Sequence, residues 1–381
     1  MFGVFARAWR REIAFLGSSP WDLGVVLLAP LVVLVVMGWA FLASSPQHLP
    51  IAVVDADHSA VSRQLVRNLE ASSKITVAAQ PADLPDAFSL ARAGQVWVVV
   101  YVPKNSERDA LAGRGARIVV YDNAAYYSLG ALAARGVGEA VSGLSAQLAP
   151  RLQHIHDLPA LRFTAPTVQS TVLFNPTLSY EWFLEALVQP GVLHLLMSCA
   201  IVVTVGREFR DRTFATWIAT PRQIIPALAG KLAPYVLLFT LWNLLGTAWL
   251  CGFRGWGVHG DLTLLAAGQL LMYAAYAALA ALVTVTVKDI PTALSAAAVY
   301  GGPAITFSDA TLPTLTAPVF TKVLSNLLPF TSYIRLQMEQ MFMGSPGADS
   351  LRWLAVLALF SLVLFPVCAA LLVKPAREAA R

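Results

Sequence analysis

VVLLAPLVVLVVMGWAFLAS, residues 25–44, holds 20 consecutive positions without a charged side chain. A helix needs about 20 such residues to cross a hydrocarbon core of about 30 Å. Outward from this run the pattern is lopsided. About 135 polar, mixed-charge residues follow it, and the remaining apolar runs cluster between Glu185 and Val373. The layout predicts a polytopic α-helical membrane protein. Six transmembrane helices, one plus five, are expected, with a large α/β extracytoplasmic domain between spans one and two.

Composition agrees with a chain half embedded in lipid. Of 381 residues, 57% are hydrophobic and only 13% charged, against about 25% charged in soluble domains. Mean hydropathy is +0.63. The net charge of +5 does not point to nucleic acid, because membrane proteins carry excess Lys and Arg on the cytoplasmic side. Cys199, Cys251 and Cys368 each lie in an apolar run and form no CxxC pair, so they read as packing residues.

The boundaries follow. Residues 1–22 contain FARAWRREIAFL, which sets Phe5, Trp9 and Ile13 on one helical face beside Arg7, Arg10 and Arg11. That reads as a cytoplasmic amphipathic helix; the plainer reading is a basic leader flank. Span one covers residues 23–43 and the extracytoplasmic domain residues 44–180. In that domain PIAVVDAD, KITVAAQ, QVWVVVYVP and ARIVVYDN read as strands. Ser59 is the expected cap of a helix bearing Val61, Leu65 and Leu69. A second helix ends at Gly94, and a long Ala-rich helix is expected over 124–148. Residues 150–179 look like an extended return to the membrane. The five-span domain is 181–373, with spans near 182–205, 224–253, 262–287, 291–306 and 351–373. Residues 308–344, with Pro313, Pro318 and Pro329, read as a re-entrant or interfacial segment. Residues 374–381 form a cytoplasmic tail.

Charge orients the spans. With the N-terminus inside, twelve of the 27 Lys and Arg fall in inner segments, among them Arg7, Arg10, Arg11, Arg207, Arg210, Arg212 and Lys374. Only Arg254, Lys322, Arg335 and Arg352 fall in short outer ones. Long translocated domains are exempt from this rule. The bias favours six spans with both termini cytoplasmic.

Catalytic motifs are missing. GxxxxGK[ST], HExxH and GxSxG do not occur, so this chain is not expected to hydrolyse nucleotide itself or to bind a cofactor or metal. His154 and His156 stand two apart without an evident third ligand. The strongest local signal is GREFRDRTFATWIATPRQ, residues 206–223. It reads as a short charged helix with i,i+4 pairs Arg207–Asp211 and Glu208–Arg212 and a stripe of Phe209, Thr213 and Trp217. Such a helix just inside the membrane suits docking onto a soluble partner, or is a solvated connector. Within the spans Glu185, His194, Asn243 and Gln269 are the polar candidates. Glu185, near the outer edge, reads as solvated, and Asn243 and Gln269 as interhelical links.

FNPTLSYEWFLEALVQPGVL (174–193) resembles the "NP…PG" opening of the second span in type-2 permeases of ATP-binding cassette exporters. VGREFRDRT resembles their "RE…GT" signature, AGKLAPY (229–235) their "GK–P" opening of span three, and VVDADHSAVSRQLVRNL (53–69) their "D.D.S..S..L...L" run. Nearly the whole chain is covered. It departs at Asp211–Arg212–Thr213, where most members have Gly before Thr, and at Ala215–Thr216–Trp217, where an acidic residue and a leucine pair are common. The resemblance implies a permease subunit that pairs with a second permease chain, identical or paralogous. Separate ATPase subunits would hold ATP and Mg. It implies a bacterial inner membrane location, a coupling helix carrying Arg207, Glu208, Arg210, Asp211, Arg212 and Trp217, and an N-terminal elbow helix. The extracytoplasmic domain is placed to meet a periplasmic adaptor, although no motif shows one.

Type-2 permeases in many branches move lipid-like cargo. The apolar character of spans two and five, with Phe183, Leu187, Val299 and Tyr300, also favours a hydrophobic or amphipathic compound over a small ion. Leu187, Gly191, His194 and Ser198 share one side of span two and are the candidate substrate path; the other reading is packing within one protomer. A competing function is a membrane-anchored sensor or scaffold whose outer domain binds a ligand, but one span would suffice for that. An intramembrane enzyme would need convergent acid, base or metal groups.

The charge count makes a direct prediction. A reporter active only in the cytoplasm is expected to be active when fused after Arg381 and silent when fused at Gly113. Activity at Gly113 overturns the orientation.

Overall fold

The computed structural model describes residues 2–41, 47–111, 117–123, 127–155, 175, 179, 181–311 and 317–379. The chain divides into two compact units, Met1–Ser44 with Thr171–Arg381, and Ser45–Ser170.

In the Ser45–Ser170 unit, β1 (Leu49–Asp55) lies between β2 (Ile75–Ala79) and β3 (Val98–Val102), parallel to both, and β4 (Val119–Asp122) adds antiparallel to β3. The order is β2-β1-β3-β4. The central strands are apolar on both faces, as parallel strands covered on two sides must be. Ile51, Val53, Val98 and Val100 pack with Leu65 and Leu69 of α4 (Ala60–Glu70) and Val137 of α7 (Tyr127–Ile155). Ala52, Val54 and Val99 face Ala87 of α5 (Leu84–Arg92). A short α6 (Ser106–Leu111), not foreseen in the sequence, follows β3.

The run that resembles the permease motif builds the β1–α4 turn. Asp55 Oδ1 accepts the amides of Asp57 and His58 at 3.0 and 2.9 Å, and Oδ2 accepts the Ser62 hydroxyl at 2.7 Å. Ser59 caps α4 reciprocally with Ser62, a pairing that satisfies two otherwise orphaned amides. Asp57 takes the Glu107 amide at 3.0 Å. Burial would raise its carboxyl, but this and neighbouring hydrogen bonds hold it below the ordinary value. The motif is therefore a folding device.

The long helix expected over 124–148 instead ends at Ile155, so the first residues assigned to an extended return are helical. Most of the remaining return and the His156 position lie outside the described residues, as does the side chain of His154.

The other unit holds α1 (Phe2–Ser18), α2 (Pro20–Leu23), α3 (Ala29–Ala40), α8 (Ala186–Arg210), α9 (Phe214–Trp217), α10 (Ile224–Ala248), α11 (Leu262–Val287), α12 (Ile290–Thr306), α13 (Val319–Leu327), α14 (Pro329–Gln337), α15 (Gly347–Leu371) and α16 (Val373–Ala379). Among the described residues, five helical runs are long and apolar enough to cross a membrane: Pro20–Ala40, Glu181–Arg210, Pro221–Phe253, Leu262–Val287 and Gly347–Glu378. α12, expected as span five, has 17 residues, about 25 Å of rise, and is not among the five. It runs antiparallel along α8. A Cβ on Gly206 would come within 2.5 Å of Ile290, and one on Gly191 within 2.5 Å of Ile305. Both positions need glycine for this approach. In residues 308–344, α13 and α14 are two short helices, and residues 312–316 lie outside the description.

Candidate functional site

At the end of α8 a group of charged side chains is removed from solvent. Glu12, on α1, is 1% exposed. It accepts Arg207 Nη2 at 2.7 Å on each oxygen, Lys231 Nζ at 2.9 Å and Tyr235 Oη at 2.8 Å, and also the Thr204 hydroxyl. Glu208, 0% exposed, accepts Lys231 Nζ at 2.7 Å, Arg11 Nη2 at 3.0 Å and Thr213 Oγ1 at 2.6 Å. The Arg207 guanidinium lies 3.2 Å from the Phe15 ring centroid. Buried charges persist when paired and hydrogen-bonded, and these two carboxylates are. Burial alone would raise the Glu12 carboxyl; the Lys231 and Arg207 charges outweigh it and hold the group below its ordinary value.

The sequence places these residues together through local chemistry. α1 is amphipathic, and Ala8, Glu12 and Leu16 form its buried face at i, i+4, i+8. Gly230 lets α1 lie against the start of α10: a Cβ there would come within 2.4 Å of the Phe5 carbonyl. Lys231 and Tyr235 follow at i and i+4 on α10, and Thr204, Arg207 and Glu208 share the end of α8. Glu12, Lys231, Tyr235 and Thr204 were not singled out as site residues. Their signal was present: Glu12 is an acidic residue on the apolar side of the α1 pattern, and Lys231 stands inside an apolar run.

The segment 206–223 differs from its sequence reading. It is not one helix. α8 continues to Arg210, a turn follows, and α9 has four residues. The expected pairs Arg207–Asp211 and Glu208–Arg212 do not form among the described residues, because Arg207 and Glu208 turn inward to Glu12 and Lys231. Arg210 bonds Asp211 at 2.7 Å instead. Phe209, Thr213 and Trp217 form no common stripe. Trp217 is 5% exposed, and its indole donates to the Ala227 carbonyl at 3.2 Å. Arg210, Asp211 and Arg212 are exposed. Arg212 has φ +55°, the left-handed region, which costs a side-chain-bearing residue about 1 kcal/mol. A glycine, common here in the family resembled, would adopt it freely. α16 packs against α9 and the turn Pro221–Gln223.

The second candidate group, Leu187, Gly191, His194 and Ser198, is buried within α8 packing. The His194 ring lies 4.3 Å from Tyr276 and 5.4 Å from Phe330, and its Nδ1 is 3.3 Å from the Pro190 carbonyl. His194 Nε2 is buried without a hydrogen-bond partner, and the buried hydroxyls beside it face one another or the backbone, Tyr300 with Ser198 and Tyr276 with Phe330. Gln189 bonds Asn243 at 3.2 Å, Asn243 bonds Tyr333 at 3.3 Å, and Gln269 bonds Thr247 at 3.1 Å, so these amides link helices. Glu185, read from sequence as solvated, is 1% exposed.

A family model described as ABC-2 family transporter protein matches residues 20–370. The chain belongs to that family. With its five apolar helices it is a multi-pass membrane protein of transport type. No curated protein matches the chain.

Removing one partner from a buried ion network costs about 3–5 kcal/mol, because the remaining charge is left uncompensated. Glu12→Gln leaves Arg207 and Lys231 facing a neutral amide. Its detergent-solubilised melting temperature is expected to fall well below that of the exposed control Asp211→Asn. Equal melting of the two variants overturns the structural weight given to Glu12.

Proposed function

We propose that this member of the ABC-2 family is the permease subunit of an ATP-binding cassette exporter in the bacterial inner (plasma) membrane. Two permease chains form the route, and separate ATPase subunits, holding ATP and Mg, dock on the segment around residues 210–223. The observation that carries this reading is the Glu12–Arg207–Lys231–Glu208 network. It ties the segment to α1, α8 and α10, so a force applied there moves three elements together. Within the segment, Arg210, Asp211 and Arg212 supply the exposed contact. Arg207, Glu208 and Trp217 act from beneath it.

The same geometry supports six crossings and termini on one side. α1 meets the start of α10, and α16 packs on α9, so both lie at the α9 end of the bundle. A chain that leaves and returns to one side crosses an even number of times. α12 is the sixth crossing, antiparallel to α8. Its limited length is made up by α14, whose first turn sets Phe330 beside His194 and whose end reaches Ala186 through Gln337 at 2.6 Å. The positive-inside bias makes that side cytoplasmic.

Cargo moves along the α8 face of Leu187, Gly191, His194 and Ser198. The unpaired His194 Nε2 and the hydroxyls of Ser198, Tyr276 and Tyr300 give that apolar region points of polar contact, which suits a hydrophobic or amphipathic compound. The extracytoplasmic unit is the part placed to meet a periplasmic adaptor. The sensor reading lacks a comparable observation.

Purified alone, the chain is expected to show no ATPase activity. With its cognate ATPase it is expected to form a complex that Arg210→Glu with Arg212→Glu weakens about tenfold, equivalent to about 1.4 kcal/mol. Full complex formation and export by that variant overturn the docking assignment.

For the route, cysteines at positions 187 and 198 in a chain lacking Cys199, Cys251 and Cys368 are expected to change their labelling when ATP is added to the assembled complex. Complete inaccessibility in every state, with export intact in His194→Ala, leaves packing as the role of this face.

A further inference from the structure

Beside the first span is a cavity of about 390 Å³, bounded by Leu31, Val35 and Trp39 of α3, Trp242 and Trp249 from the Pro221–Phe253 run, and Glu185. This size falls within the range of small-ligand sites, which combine apolar walls with a few placed polar groups. Its walls are apolar apart from Glu185 and the Trp249 indole nitrogen. Leu31, Val35 and Trp39 are exposed along α3, so in a bilayer the cavity borders the acyl chains.

Glu185 is 1% exposed, and its Oε2 has no hydrogen-bond partner. Its acidic neighbour Glu181 is differently placed. Arg254 donates to Glu181 at 2.5 and 3.0 Å, and the Trp256 indole donates to the same carboxylate at 3.0 Å. Two acidic groups thus stand one helical turn apart: Glu181 holds the Arg254 and Trp256 hydrogen bonds, whereas Glu185 has the Arg254 charge nearby but an oxygen without a hydrogen bond. Leaving a carboxylate buried and unpaired costs several kcal/mol, and a cationic donor is the partner that offsets it. The tryptophans favour the same ligand, since an ammonium is attracted to indole faces. Trp242 is held in place by its indole, which donates to the Val26 carbonyl at 3.1 Å. Trp249 stacks on Phe253 at 4.5 Å, and its Nε1 is unpaired at the cavity wall beside Gly38.

We propose that this cavity binds an amphiphile whose apolar chain lies against α3 and whose primary ammonium group pairs with Glu185. The site rests on the membrane-spanning reading of the chain but not on the docking segment or the His194 route. Two sources share this chemistry, an aminophospholipid of the bilayer and an amine-bearing cargo.

The test uses the purified full chain in phosphatidylcholine nanodiscs, with 12-bromododecylammonium and 12-bromododecanol as tryptophan quenchers. The ammonium probe is expected to quench at a concentration at least tenfold below that of the alcohol. Glu185→Gln keeps the shape of the side chain and is expected to abolish that preference. Val35→Phe, at a position open to lipid, is expected to fill the cavity and weaken both probes. Equal quenching by the two probes in the unsubstituted chain, or an unchanged preference in Glu185→Gln, overturns the proposal. Changing the discs to phosphatidylethanolamine separates the sources. A shift of the ammonium curve to higher concentration supports a resident aminolipid, and an unshifted curve supports a single-chain amine cargo. No ATPase is present in the assay, so failure here leaves the coupling proposal untouched.

Discussion

Glu12 is the side chain on which the packing at the α9 end depends. It sits on the helix preceding the first apolar run, yet its carboxylate receives hydrogen bonds from α8 and α10. A buried carboxylate is tolerated only with such compensation. The requirement therefore fixes where α1 lies, which face it presents, and how the ends of two long helices meet. Glu208 repeats the arrangement one step away and reaches Thr213 in the following turn. A chain segment of few residues, with little core of its own, acquires a defined position because its root is held by two carboxylates and three cations.

Close helix approach is the second constraint. Gly191, Gly206 and Gly230 stand where a Cβ would meet Ile305, Ile290 and the Phe5 carbonyl. Small residues matter in membrane helices because association there relies on packing and polar links rather than on exclusion of water. The amide links Gln189–Asn243 and Gln269–Thr247 are of the second kind. The two unusual regions stand out against this background. At His194 one ring nitrogen is left unpaired among buried hydroxyls, and at Glu185 one carboxylate oxygen is left without a hydrogen bond where an apolar cavity meets it. Helix association does not explain either feature, so they are where ligand contact is argued.

Motif resemblance and motif role are separate matters. The D.D.S..S..L...L run of the Ser45–Ser170 unit is occupied by Asp55, Asp57, Ser59, Ser62, Leu65 and Leu69, all of them engaged in the β1–α4 turn or the core. Likewise Arg207 and Glu208 of the second motif are structural supports. The exposed Arg210–Arg212 turn beside them carries the contact proposed for the ATPase.

Hydropathy alone determined that the chain is a membrane protein with one run apart from the others, because lipid tolerates only long stretches without charge. Alternation and capping residues determined the α/β character of the hydrophilic unit, since both are local effects. The tertiary structure decided the partners. From sequence, Arg207 and Glu208 had nearest opposite charges at i+4, within their own helix. In the fold they pair across helices with Glu12 and Lys231, nearly 200 residues away in one case and 23 in the other. Burial reversed the choice: in water a local pair is as good as any, whereas a pair withdrawn from water must satisfy every oxygen. The same reasoning separates Glu185 from Glu181. Spacing makes them equivalent; the fold gives Glu181 the Arg254 and Trp256 hydrogen bonds and sets Glu185 at the cavity beside α3 with one oxygen unbonded.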